Sequence, residues 1–84
     1  METPHKRFAA WVASLGARGV NRRAAAVAMG CHVSYVGLVA RGERTPGRRR
    51  ALAIERATHS WADGPLYAEE WDRAAKAAAT ESAA

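Results

Sequence analysis

Apolar side chains recur along this chain at helical spacing, and no segment sustains the alternation of apolar and polar residues that a strand requires. Phe8, Trp11, Val12 and Leu15 fall at i, i+3, i+4 and i+7, which is one face of a helix. Thr3-Pro4 stands at its start, where threonine is a good N-cap and proline is tolerated in the first turn. Gly16 and Gly19 are expected to stop it. Asn21 is the next good cap, opening a short alanine-rich helix over residues 22–29 that Gly30 closes. A third helix is expected from His32 or Val33 to Arg41, with Gly42 as its C-terminal stop. Arg44-Thr45-Pro46 repeats the threonine–proline start signal, and the helix it announces carries Leu52, Ala53 and Ile54 to about Thr58. Asp63-Gly64-Pro65 marks a loop, or the cap of a fifth element holding Leu66, Tyr67 and Trp71. From Ala74 onward only Ala, Lys, Thr, Glu and Ser occur, so a helix there has nothing large to bury and is expected to fray. The pattern predicts an all-α fold of four to five helices. One domain is expected over residues 1–72, with 73–84 as an alanine-rich tail.

Length and composition make such a domain small. The chain has 84 residues, and alanine supplies much of its 49% hydrophobic content. A core of five or six larger side chains is expected. So small a core would gain from a bound partner or a second copy of the chain.

Charge changes the picture more than size does. Residues 1–60 hold 11 Lys and Arg against Glu2, Glu43 and Glu55. Residues 61–84 hold Arg73 and Lys76 against Asp63, Glu69, Glu70, Asp72 and Glu81. The basic part favours a polyanion, with nucleic acid the leading candidate. Every basic residue before position 60 except Lys6 is arginine, whose planar fork suits bidentate contact with phosphate or guanine. A GC-rich coding sequence also supplies Arg and Ala, but does not explain the asymmetry of charge between the two parts.

Other chemistries find little support. A single cysteine forms no intrachain disulfide, and His5, Cys31, His32 and His59 lack the paired spacing of a structural zinc site. No Ser-His-Asp, Cys-His or metal-ligand grouping and no phosphate-binding glycine loop stands out, so no enzyme, cofactor, metal or small-molecule ligand is expected. No apolar run approaches membrane-spanning length and no signal-peptide core is present, so a reducing cytoplasm is expected, with no membrane partner.

The informative stretch is Asn21 to Gly42. Two short helices are separated only by Gly30-Cys31-His32. A turn this tight needs a small residue where the helices approach, and Ala26 serves. It also needs a residue that accepts positive φ, and Gly30 serves. Ala25, Met29, Cys31, Val36 and Val39 are placed to face inward and hold the angle. Each feature also occurs in a generic helical hairpin; the order and spacing together make the signal specific.

Residues 22–41 resemble the helix-turn-helix of the Cro and lambda-repressor-like family, with Met29-Gly30-Cys31-His32-Val33-Ser34-Tyr35-Val36-Gly37 especially close to its turn and recognition helix. Phe8 to Leu15 resembles the family's first helix. Arg41-Gly42-Glu43-Arg44-Thr45-Pro46 and residues 51–58 resemble the loop and fourth helix of small phage and bacterial regulators, and residues 64–71 a short tail ending in an acidic-Trp pair. The resemblance covers roughly residues 5–72. It implies a lambda-repressor-like domain that binds double-stranded DNA as a homodimer on a palindromic operator and acts as a small regulator, most simply a repressor. It also implies contacts by position. Arg22 and Arg23 open the second helix, where phosphate is touched. His32 stands at the N-terminus of the reading helix. Val33, Ser34, Gly37 and Leu38 lie on the face that enters the major groove. Arg41 lies at its far end, and Arg44 in the loop where phosphate contacts are usual. The sequence departs from the family at Gly37 and Leu38, where Ser, Gln, Asn or Arg is common. Either readout falls on Ser34, Arg41 and Arg22 with help from DNA shape, or the helix register differs by one.

The remaining features have plainer readings. Arg48-Arg49-Arg50 is a solvated helix face or holds a phosphate contact. Cys31 is a small core residue, and His32 and His59 are surface or cap residues. Trp11, Tyr67 and Trp71 are expected in the core. Trp61, in a loop, is a candidate contact for a second subunit. The acidic residues 61–84 are the preferred dimer region, or else they bind the first helix of their own chain. A protein-interaction or adaptor module on the same fold, such as an antitoxin, is the rival reading, supported by the apolar Val33, Gly37 and Leu38.

Overall fold

The structure is a computed structural model that describes residues 3–74; the tail expected to fray lies, from residue 75, outside the described residues. Five helices and no strand occur among them. They are α1 (Pro4–Ser14), α2 (Val20–Met29), α3 (Val33–Ala40), α4 (Arg48–Ala57) and a last helix, α5, over residues 68–74.

The start of α1 follows its sequence signal. The Thr3 hydroxyl accepts the Lys6 N–H at 3.2 Å, and Pro4 occupies the first turn, where it forfeits no helical hydrogen bond. α2 begins earlier than expected, at Val20 with Gly19 as its cap, so Asn21 lies inside the helix. The reason is the preceding turn. The Asn21 N–H already donates to the Ala17 carbonyl at 3.0 Å, so the backbone is wound before it reaches Asn21. α4 begins later than expected, at Arg48 with Gly47 as its cap. Thr45 does not cap it; its hydroxyl lies 3.4 Å from His5 Nε2 instead.

α2 and α3 are joined by three residues and their axes bend by 102°. Gly30 adopts a left-handed conformation (φ 67°, ψ 38°), in which its own N–H closes on Ala26 and Val27 and the Cys31 N–H donates to the Ala26 carbonyl at 3.0 Å. This double closure satisfies the last carbonyls of α2 and redirects the chain. Gly42 (φ 80°) ends α3 the same way, with the Glu43 N–H on the Leu38 carbonyl at 2.9 Å. α1 packs on α2 and α3, and α4 packs on α2. An eight-residue helix such as α3 is held by this packing rather than by its own propensity. Val36 and Val39 are its fully buried anchors.

The core is larger than the composition implied. Phe8, Trp11, Val12, Met29, Val36, Val39, Ile54, Leu66 and Trp71 are all buried, with Ala25, Ala26, Ala51 and Ala68 filling the close approaches. The gain comes from the acidic C-terminal part, which binds its own chain. Trp71 stacks edge-on to Phe8 at 6.2 Å and to His5 at 5.0 Å. The Thr58 hydroxyl, fully buried, donates to the Ile54 carbonyl at 2.8 Å and accepts the Leu66 N–H at 2.8 Å. Glu55 accepts the Ala68 N–H at 2.9 Å, and Glu70 accepts the Tyr67 N–H at 2.8 Å, so two carboxylates serve the donor-rich end of α5. The other oxygen of Glu70 pairs with Arg7, which also donates to the Asp63 carbonyl at 2.7 Å. The described residues of this acidic segment pack on the first helix of their own chain.

Two core assignments change. Tyr67 is 49% exposed, because the turn into α5 directs Leu66 inward and its neighbour outward. Cys31 is half-buried at the rim of the core, since the redirected chain surfaces immediately after Gly30. Trp61 is half-buried against the core of its own chain.

Candidate nucleic-acid interface

Arg22, Val33, Ser34, Gly37, Leu38 and Arg41 line one open depression across the α2–α3 corner. Positions 33, 34, 37 and 38 lie along one face of α3, and Arg41, its C-cap, continues that face. Arg22 reaches this stripe from the first turn of α2. The three other residues expected to touch DNA lie outside the depression. Arg23 turns to the far side of α2, beside Arg18, Gly19 and Val20. His32 caps α3, and Arg44 is exposed in the loop beyond it.

Gly37 is buried and Leu38 half-buried, leaving Val33, 37% exposed, as the stripe's large exposed apolar side chain. A Cβ built on Gly37 would lie 3.6 Å from Nη1 of Arg41 and 3.9 Å from Nη1 of Arg22. The glycine is thus the floor, and both guanidinium groups extend over it. Arg41 Nε also donates to Glu43, an exposed carboxylate at the rim. At the N-terminal end of the stripe, His32 Nδ1 accepts the Ser34 N–H at 3.1 Å and so carries no proton. The Ser34 hydroxyl, 2.8 Å from the same nitrogen, therefore donates to it and keeps its oxygen free to accept.

Two supports of this face were not visible in the sequence. Arg50, from the first turn of α4, donates to the Gly30 carbonyl at 2.9 Å and lies 5.5 Å from the centre of the Tyr35 ring, tying α4 to the corner. Arg48 and Arg49 are exposed. His5 Nδ1 lies 2.8 Å from the Val39 carbonyl, which can only accept, so that nitrogen carries the proton and α1 ties down the last turn of α3. The partners in these contacts are 20 and 34 residues apart, and no local pattern marks them.

Electrostatically the face is positive. Arg22 and Arg41 line it, and of the acidic residues Glu43 pairs with Arg41 at its rim. Burial raises the pKa of Cys31 above the ordinary thiol value, with Arg50 opposing it, which suits an inert thiol. Burial likewise raises Tyr35, partly offset by Arg50. Among the described residues, no three His, Cys, Asp or Glu side chains gather as a metal site would require, and no single helix is long and apolar enough to cross a membrane. No family model, curated protein or solved structure matches the chain.

Proposed function

We propose that this chain binds double-stranded DNA sequence-specifically through α2 and α3, acting as a helix-turn-helix, and that it serves as a small transcriptional regulator. The observation that carries the reading is the open depression lined by Val33, Ser34, Gly37, Leu38 and Arg41, met by Arg22 from α2 across a 102° corner. Steep crossing, a three-residue glycine-bearing turn and an open second helix are what major-groove docking asks for. The positive surround supplies the phosphate attraction that any duplex-binding protein needs. Arg44, Arg48 and Arg49, all exposed, are assigned to phosphate contacts.

A homodimer on a two-fold site follows from the same reading, with two α3 helices about one DNA turn apart. Occlusion of a promoter, including its own, is the simplest action for so small a domain. The rival adaptor reading rests on the apolar part of the α3 face, where Val33 is exposed and Leu38 half-buried; Arg22 and Arg41, which line the same depression, favour a polyanion instead.

Selection from random duplex DNA, followed by salt titration of the enriched sequence, tests the proposal. The expected result is a palindrome with half-sites about 10 to 11 base pairs apart. Log affinity should fall by roughly 0.9 per log unit of salt for each phosphate neutralised. Weak salt-sensitive binding with no enriched sequence would overturn it. Light scattering should find a dimer at least on the enriched duplex.

A further inference from the structure

We infer that Arg22 and Arg41 act together as a clamp on one guanine, taken on its major-groove edge in the space above Gly37. The inference rests on the DNA-binding reading and deepens it by naming the base. Both guanidinium Nη1 atoms stand within van der Waals reach of the same point, the missing Cβ of Gly37, at 3.9 and 3.6 Å. They are therefore no farther apart than those two distances together. Two cations converge there with no carboxylate between them, because Glu43 holds Arg41 by Nε, away from the shared point. Such a space asks for an acceptor-rich group. A guanine edge presents O6 and N7, both acceptors. Adenine and cytosine each place an amino donor there and would need an acceptor in the protein. Above Gly37 the polar groups are donors only. The one free acceptor of the stripe, the Ser34 oxygen, lies a helical turn nearer the N-terminus.

A backbone phosphate is the other acceptor-rich group on DNA, and two features argue for the base. The space lies in the same depression as Val33 and Leu38, side chains that suit base edges and thymine methyls and give nothing to a phosphate. Glu43 at the rim would repel an anion drawn to Arg41, whereas it leaves a neutral guanine edge almost unaffected. Gly37 matters because any longer side chain there would enter the space between the two arginines.

The test uses the duplex enriched by selection, carrying base analogues at the guanine nearest Arg22 and Arg41. Replacing that guanine by 7-deazaguanine removes N7 and should weaken binding roughly 5- to 100-fold. Replacing it by hypoxanthine removes only the minor-groove amino group and should leave binding unchanged. Arg22→Lys and Arg41→Lys keep the charge but lose the fork, so each should relax the preference for guanine while the salt slope stays the same. Both side chains are exposed, so neither change threatens the fold, which a thermal melt would verify. Gly37→Gln should relax the same preference.

Three results would overturn the clamp. An enriched site with adenine or cytosine facing Gly37 would do so while leaving specific DNA binding intact. Arginine changes that weaken all sequences equally, with no effect of 7-deazaguanine, would reassign the pair to phosphate. Absence of any enriched sequence would remove both the clamp and the reading beneath it.

Discussion

Arg50 donates from Nη1 to the carbonyl of Gly30 across 2.9 Å, so the first turn of α4 holds the glycine at which the chain turns from α2 into α3. The carbonyl belongs to the set a helix leaves unsatisfied at its C-terminal end, and a cation is favoured there by the helix dipole. The same guanidinium covers Tyr35 on α3. One side chain thus touches both arms of the corner.

Arg50→Ala should therefore lower stability by about 1 kcal/mol, the scale of one hydrogen bond with a partly exposed cation. In a domain of this size that is roughly 4–8 °C in Tm. Arg50→Lys keeps the charge but loses the planar cover of the ring, and should fall between. A thermal melt of the three proteins checks this; an unchanged Tm for the alanine variant would remove Arg50 from the support of the corner.

Thr58→Val should be more damaging than its small change in shape suggests. The hydroxyl is fully buried and accepts the Leu66 N–H at 2.8 Å, which would be left without a partner. A buried orphan donor costs about 1–3 kcal/mol. Thr58→Ser keeps the hydroxyl and loses one methyl, about 1 kcal/mol. Urea unfolding should rank wild type above serine and serine above valine; valine equal to wild type would mean the bond contributes nothing.

Asn21→Ala should leave stability unchanged or raise it. Asn21 lies inside α2 with a buried Oδ1 that has no partner, and alanine removes that orphan while favouring the helix. Were Asn21 the cap, the same change would cost about 1 kcal/mol. The sign of the shift in denaturant midpoint separates the two.

The Cys31 thiol should titrate above its ordinary value of 9.0, because burial disfavours the thiolate more than Arg50 favours it. Its folded pKa is raised, so the associated stability is full below the unfolded thiol's pKa. It is lost as pH rises from there through the folded pKa. Alkylation rates across pH should show a late inflection, and Arg50→Ala should move it later still by removing the opposing charge. An inflection at or below 9.0 would contradict the burial argument.

Much of the helical frame was legible because its signals are local. The i, i+3, i+4 spacing of Phe8, Trp11, Val12 and Leu15 marks a face whatever it packs on. Gly30 and Gly42 mark turns because their backbone must go where a side chain is strained. The stripe from Val33 to Arg41 was legible for the same reason, since helical periodicity alone assigns residues to one face. What only the tertiary structure decided are the contacts between residues far apart in sequence. These are Arg50 on Gly30, His5 on Val39, Arg7 on Glu70, and the two arginines over Gly37. A distant contact also claimed the expected cap of α4, whereas α2 starts early because a local turn is already wound from Ala17. A cap is chosen by whichever backbone turn forms and whichever partner claims the hydroxyl, and Thr45 lies against His5, 40 residues away. Local periodicity fixes which side of a helix is apolar; which surface covers that side depends on how the helices cross, and the crossing is a property of the whole core.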